Sequence, residues 1–72
     1  MEKRYFYPDG TLRTIENYKD GKLHGEISLY WPNGKLKRKC HFCDGLRHGL
    51  DQMWSIHGDL VDQDDYEYGV RK

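Results

Sequence analysis

Cys40, His41 and Cys43, with His48 and His57 downstream, are the side chains of this sequence best suited to hold a soft metal ion. A structural zinc site needs four nitrogen or sulfur ligands converging as a tetrahedron. On an extended strand, alternation sends Cys40 to one face and His41 to the other and leaves Cys43 in the following turn. A lone Cys pair also lacks the second pair that makes such spacing convincing. No metal and no cofactor are expected, and His24 and His48 are read instead as hydrogen-bonding residues beside a turn. Ser55, His57 and Asp59 have the residue types of a hydrolytic triad, but spaced two apart they run along a strand and through a turn. There the hydroxyl, imidazole and carboxylate cannot line up as nucleophile, base and orienter. With no glycine-rich phosphate loop or nucleophile elbow either, the chain is not expected to be an enzyme. A third chemistry is offered by Lys35, Lys37, Arg38 and Lys39, a basic run near aromatic residues that would suit single-stranded nucleic acid or an anionic lipid surface.

The elements that must position these residues follow from an internal repeat. The stretch Trp31-Pro32-Asn33-Gly34-Lys35-Leu36 through Asp44-Gly45 recurs 24 residues earlier as Tyr7-Pro8-Asp9-Gly10-Thr11-Leu12 through Asp20-Gly21, and 24 residues later as Ser55-Ile56-His57-Gly58-Asp59-Leu60 through Tyr68-Gly69. Three units, residues 1–24, 25–48 and 49–72, fill one 72-residue domain without a gap. Each unit has two turn signals. Pro-Asp/Asn-Gly suits a three-residue hairpin loop, and Asp-Gly suits a two-residue primed turn. Turns are expected near residues 9, 20, 33, 44 and 57. The segments between have strand length and no helical periodicity, so the fold class is all-β: an antiparallel meander of about six strands in a single curved sheet.

Alternation sorts the strand residues by face. Three columns are apolar in every unit: Phe6, Tyr30 and Trp54; Leu12, Leu36 and Leu60; Tyr18, Phe42 and Tyr66. Counted by parity they share one face, which is the expected core, together with the variable positions Thr14, Arg38 and Asp62 and Glu16, Cys40 and Asp64. The opposite face collects Tyr5, Tyr7, Ile27, Leu29, Trp31 and Met53. That surface either binds a partner or packs on itself if the sheet curls. As a binding surface it would use Trp31 as its anchor.

Composition limits the alternatives. Charged residues make up 33% of the chain, yet six tyrosines, two tryptophans and two phenylalanines recur at fixed positions, which a disordered chain lacks. The net charge is zero, but residues 1–48 hold 10 Lys and Arg against 6 Asp and Glu, while residues 49–72 hold 2 against 6. A neutral total argues against a general nucleic-acid binder, and separated signs favour an oriented contact with a charged partner. Asp59, Asp62, Asp64 and Asp65 would steer a basic target, or else serve only to solubilise a terminal repeat. The sequence has no apolar run of signal-peptide or membrane-span length, so the expected compartment is the cytoplasm, with reduced thiols.

The phrases Tyr-Pro-Asp-Gly-Thr-Leu, Tyr-Lys-Asp-Gly-Lys-Leu-His-Gly-Glu and Trp-Pro-Asn-Gly-Lys-Leu-Lys resemble the MORN repeat variant found in short bacterial and phage proteins. The first two units match closely, and the third only in its glycines, Leu60 and Tyr66. The resemblance implies a β-hairpin array that works as a binding module, some of whose members act as antitoxins, and it implies no catalytic site. The functional expectation is therefore a non-enzymatic protein-binding module that neutralises or inhibits a target protein, as an antitoxin or a phage inhibitor of host defence does. Binding of nucleic acid or anionic lipid through Lys35–Lys39 is the alternative, and a zinc-dependent enzyme a third class. A single layer with open edges also predicts association, either as a homodimer or with the foreign target.

Overall fold

The computed structural model describes residues 1–72 and contains only β-strands and turns. The first strands of the three units are β1 (Glu2–Phe6), β4 (Gly25–Tyr30) and β7 (Gly49–Trp54), and the second strands are β2 (Leu12–Lys19), β5 (Leu36–Cys43) and β8 (Leu60–Glu67). Three two-residue strands follow the second turns: β3 (Lys22–Leu23), β6 (Leu46–Arg47) and β9 (Val70–Arg71). All pairings are antiparallel, in the order β1-β2-β4-β5-β7-β8-β9, with β3 on β2 and β6 on β5. The sheet does not close. Nine strands replace the expected six because Gly25 and Gly49, at φ +94° and +102°, split β3 from β4 and β6 from β7, and because the turn at Tyr68-Gly69 adds β9.

The first turn of every unit is a three-residue hairpin loop. Gly10, Gly34 and Gly58 donate back to Tyr7, Trp31 and Ser55 at 2.9, 2.9 and 3.0 Å, and the flanking pairs Tyr7–Thr11, Trp31–Lys35 and Ser55–Asp59 each close at 2.8 Å. The third loop forms without the Pro, because the Ser55 hydroxyl accepts from the N–H groups of His57 and Asp59. The second turns are primed, with both central residues left-handed: Asp20-Gly21, Asp44-Gly45 and, unexpectedly, Tyr68-Gly69, where Tyr68 has φ +45°. The residue types alone do not mark the Tyr68 turn, because tyrosine rarely adopts that conformation unaided. Here His48 supports it: its Nδ1 accepts from the Tyr68 N–H at 3.2 Å, and the two rings lie 4.4 Å apart. His24 does the same for Asp44 one unit earlier, at 3.3 Å, so both histidines bond beside a turn as expected.

The sheet is a single layer, 34 × 28 × 11 Å. Only Ile27, Ser28, Cys40 and Asp51 are buried, all from the central strands β4, β5 and β7. With so little core, much of the order must come from the 43 backbone hydrogen bonds and from bonds that cross between units. Tyr7 Oη donates to the Tyr30 carbonyl at 2.6 Å, Trp31 Nε1 to the Trp54 carbonyl at 3.1 Å, and Asn33 Nδ2 to the Ile56 carbonyl at 2.9 Å. The first two tie one unit's loop to the strand end of the next, and the third ties loop to loop.

The register corrects the sorting of faces. Phe6 pairs with Leu12 and Tyr5 with Thr14, so Arg13 is skipped, and the same shift skips Lys37 and Val61 in the other units. An extra residue on one strand inverts its alternation relative to a parity count. The Phe6, Tyr30, Trp54 and Leu12, Leu36, Leu60 columns do share a face. The Tyr18, Phe42, Tyr66 column lies on the other one, with the side chains assigned to partner binding. The apolar residues thus divide between two faces of one layer rather than forming a one-sided core.

Candidate functional site

The candidate site is the face carrying Tyr5, Tyr7, Ile27, Leu29, Trp31 and Met53. Pairing places them together: Tyr5 opposite Thr14, Thr14 opposite Leu29, Leu29 opposite Arg38, Arg38 opposite Met53, and Met53 opposite Asp62. This row crosses the whole sheet and ends on an acidic residue. Directly beside it runs a second row in which Ile27 faces Cys40 and Asp51 faces Asp64.

The six apolar candidates differ in availability. Ile27 is only 6% exposed and contributes no contact area while the sheet is intact. Tyr5 is 38% exposed, with the Arg13 guanidinium 5.8 Å from its ring centre. Leu29 and Met53 are half-buried and carry no polar atom that would fix them. Tyr7 and Trp31 are half-buried and committed through their hydrogen bonds to the neighbouring unit, and Lys37 Nζ lies 4.7 Å over the Trp31 ring. Trp31 therefore has a structural role that its sequence position did not disclose.

The acidic candidates also separate. Asp62 and Asp64 lie on the apolar face, whereas Asp65 pairs with Leu50 and lies on the opposite one. Asp59 is exposed at the end of the third loop. Asp64 is met by Arg71 at 3.1 Å, and Asp65 by Lys72 at 3.8 Å. The charge of Asp62 has no salt-bridge partner, although one of its oxygens accepts from the N–H of Gln63 at 2.9 Å.

At the centre of this face is a polar cluster that the residue pattern did not foretell. Arg38 donates through Nε and Nη2 to the two oxygens of Asp51, at 2.9 and 2.5 Å. This two-pronged contact pushes the Arg38 pKa up, and Asp51 itself is only 7% exposed. Arg47 adds a second cation 3.8 Å from Asp51 while donating to the Tyr66 hydroxyl at 3.3 Å. At the first unit's end of the face Tyr18 donates to Glu16 at 2.6 Å, which with desolvation pushes the phenol up to about 12.

The remaining motifs are taken apart by the sheet. Cys40 and His41 lie on opposite faces, and His41 Nε2 sits 3.7 Å from Glu26. Cys43 closes β5 one residue before the turn rather than lying in it. No group of three or more His, Cys, Asp or Glu side chains converges as a metal site. Burial, and next the charge of Asp51, push the Cys40 thiol up, so its nucleophilic thiolate is scarce. Native alkylation at mildly alkaline pH should therefore modify the half-buried Cys43 before Cys40, and mass spectrometry that found Cys40 modified first would contradict the packing of this face. The Ser55 hydroxyl is engaged by its own loop. The basic run disperses too. Lys35 donates to the His57 carbonyl at 3.1 Å, Lys37 covers Trp31, Arg38 holds Asp51, and Lys39 on the other face lies 3.5 Å from Glu26.

Comparison with the curated proteins and with the solved structures gives no match. The profile of the MORN repeat variant matches residues 1–20 and 23–44, and the strands of the third unit continue the same 24-residue spacing beyond that match. The chain belongs to the MORN repeat variant family, whose modules generally bind proteins or lipids.

Proposed function

We propose that the chain is a non-enzymatic module that binds a protein target and blocks it, in the manner of an antitoxin or of a phage inhibitor of host defence, and that it works in the cytoplasm without a cofactor. The observation that carries this reading is where the charges go. Every cation of the Lys35–Lys39 run is engaged within the chain, whereas the face bearing Tyr5, Leu29 and Met53 keeps apolar surface in water beside Asp62, which has no ion-pair partner. A phosphate-binding surface needs basic groups free to replace counterions. A protein-binding surface needs apolar side chains that lose water on contact and charges that orient the partner. Tyr5, Leu29 and Met53 supply the first and Asp62 at the sheet's end the second, around a central Arg38–Asp51 pair whose charges are already matched.

Capture from the native host, compared between the unaltered chain and Met53→Lys, tests it. A bound protein should be retained by the first and lost by the second while circular dichroism stays unchanged, and Asp62→Lys should slow association chiefly at low salt. Retention of nucleic acid or anionic vesicles, undiminished or strengthened by both added lysines and abolished by salt, would replace this reading with the alternative.

A further inference from the structure

The edges of the sheet are built to continue it. Inside the chain, the first strand of each unit docks on the second strand of the unit before, with Thr14 opposite Leu29 and Ile15 opposite Ser28, then Arg38 opposite Met53 and Lys39 opposite Gln52. β8 has no such neighbour. Its outer edge is covered by β9 at Tyr66 and Glu67 and by the Lys72 N–H, which donates to the Asp65 carbonyl at 2.8 Å, and the stretch Leu60–Asp64 is open. β1 pairs with β2 alone, so its other edge is open as well. We propose that these two edges fit each other, so that β1 of one copy adds to β8 of the next in the register already used twice within the chain.

Two ladder pairs at each boundary set that register. Leu29 and Met53 correspond to Tyr5 in the first unit, and Ser28 and Gln52 correspond to Arg4. Asp62 then faces Tyr5 of the second copy and Gln63 faces Arg4, and one position beyond these two pairs Asp64 comes beside Lys3. Asp64 and Lys3 are opposite charges brought together on one face, just past the end of the ladder. Asp65 lies diagonal to Arg4 on the other face. Asp65 and Glu2 fall beyond the open stretch, and each carries a cation of its own: Arg4 holds Glu2 at 2.9 Å and Lys72 lies 3.8 Å from Asp65. Arg71, which meets Asp64, is an exposed side chain free to swing aside.

Apolar exposure supports the same contact independently. Within the chain Leu36 and Trp54 line one cleft across a unit boundary, and both are half-buried. Their counterparts at the open ends are Leu60, 51% exposed, and Phe6, 55% exposed. Continuing the register brings these two together and covers both. Because the two edges differ, the contact is head to tail and does not close at two copies. The contact runs along the backbone edges, where Tyr5 and Asp62 also belong to the binding face. Met53 on the internal strand β7 touches neither edge, so Met53→Lys separates loss of target binding from loss of assembly.

Sedimentation velocity over a concentration series from micromolar to millimolar tests it, with circular dichroism as the check on folding. The unaltered chain should grow past a dimer with concentration, and salt should weaken the growth. Lys3→Glu and Asp64→Lys should each weaken association by about tenfold. The double variant Lys3→Glu, Asp64→Lys restores opposite charges across the contact and should regain it, which separates an edge contact from simple loss of fold. A monomer at every concentration, a species that stops at two, or a double variant no better than the singles would overturn the proposal.

Discussion

Trp31→Ala should lower the unfolding free energy by about 2–3 kcal/mol, read from urea denaturation. A fully buried tryptophan cut to alanine costs about 3–5 kcal/mol. The ring here is half-buried, so the packing loss is smaller, but a second loss is added to it. Trp31 Nε1 donates to the Trp54 carbonyl at 3.1 Å, and its removal unties the second loop from the third unit. Trp31→Phe keeps a ring beneath Lys37 and loses only the bond, for about 1 kcal/mol. Tyr7→Phe should cost a similar amount at the first boundary, where the hydroxyl bond is 2.6 Å long. In a chain of 72 residues with four buried side chains, the alanine variant removes a large part of the total. A urea midpoint unchanged by Trp31→Ala would mean that the ring is a free surface group. If the midpoint falls, Trp31 cannot be used alone to map a binding surface, and Met53 is the better probe.

Arg38→Ala should cost about 3 kcal/mol by the same measurement. The reason lies less in the strength of the pair than in what its loss leaves behind: the Asp51 carboxylate, 7% exposed, with its two-pronged partner gone. Arg47, 3.8 Å away, offers partial relief. Replacing both Arg38 and Asp51 with leucine should bring stability back to within about 1 kcal/mol of the starting chain, because a buried ion pair roughly breaks even against apolar packing. A double-mutant cycle with a coupling below about 0.5 kcal/mol would mean that the pair behaves as an exposed one.

What the sequence determined by itself is the repeat, the strand class and most of the turns. These are local matters. A left-handed position in a tight turn is met by Gly or Asp, so Asp9-Gly10, Asp20-Gly21, Asn33-Gly34 and Asp44-Gly45 announce their turns without help from the rest of the chain. The 24-residue period then carried the architecture through the third unit, where His57-Gly58 marks its loop without a Pro. The separation of Cys40 from His41 was equally legible, because neighbouring residues on a strand point to opposite faces.

The tertiary structure decided whatever depends on which residue a strand meets across the ladder. Parity counted along β2 runs through Arg13, and only the pairing reveals that this residue is skipped, so the Tyr18, Phe42, Tyr66 column changed faces. The left-handed Tyr68 needs His48, which lies 20 residues away. The lysines and Arg38 look like one basic strip in the sequence, yet Lys35 goes to the third loop, Arg38 to Asp51 on one face and Lys39 to Glu26 on the other. Trp31 offers the same lesson in a single side chain. Its size and place marked it as an anchor, and only the position of the Trp54 carbonyl one unit onward showed that part of what it anchors is the protein's own sheet.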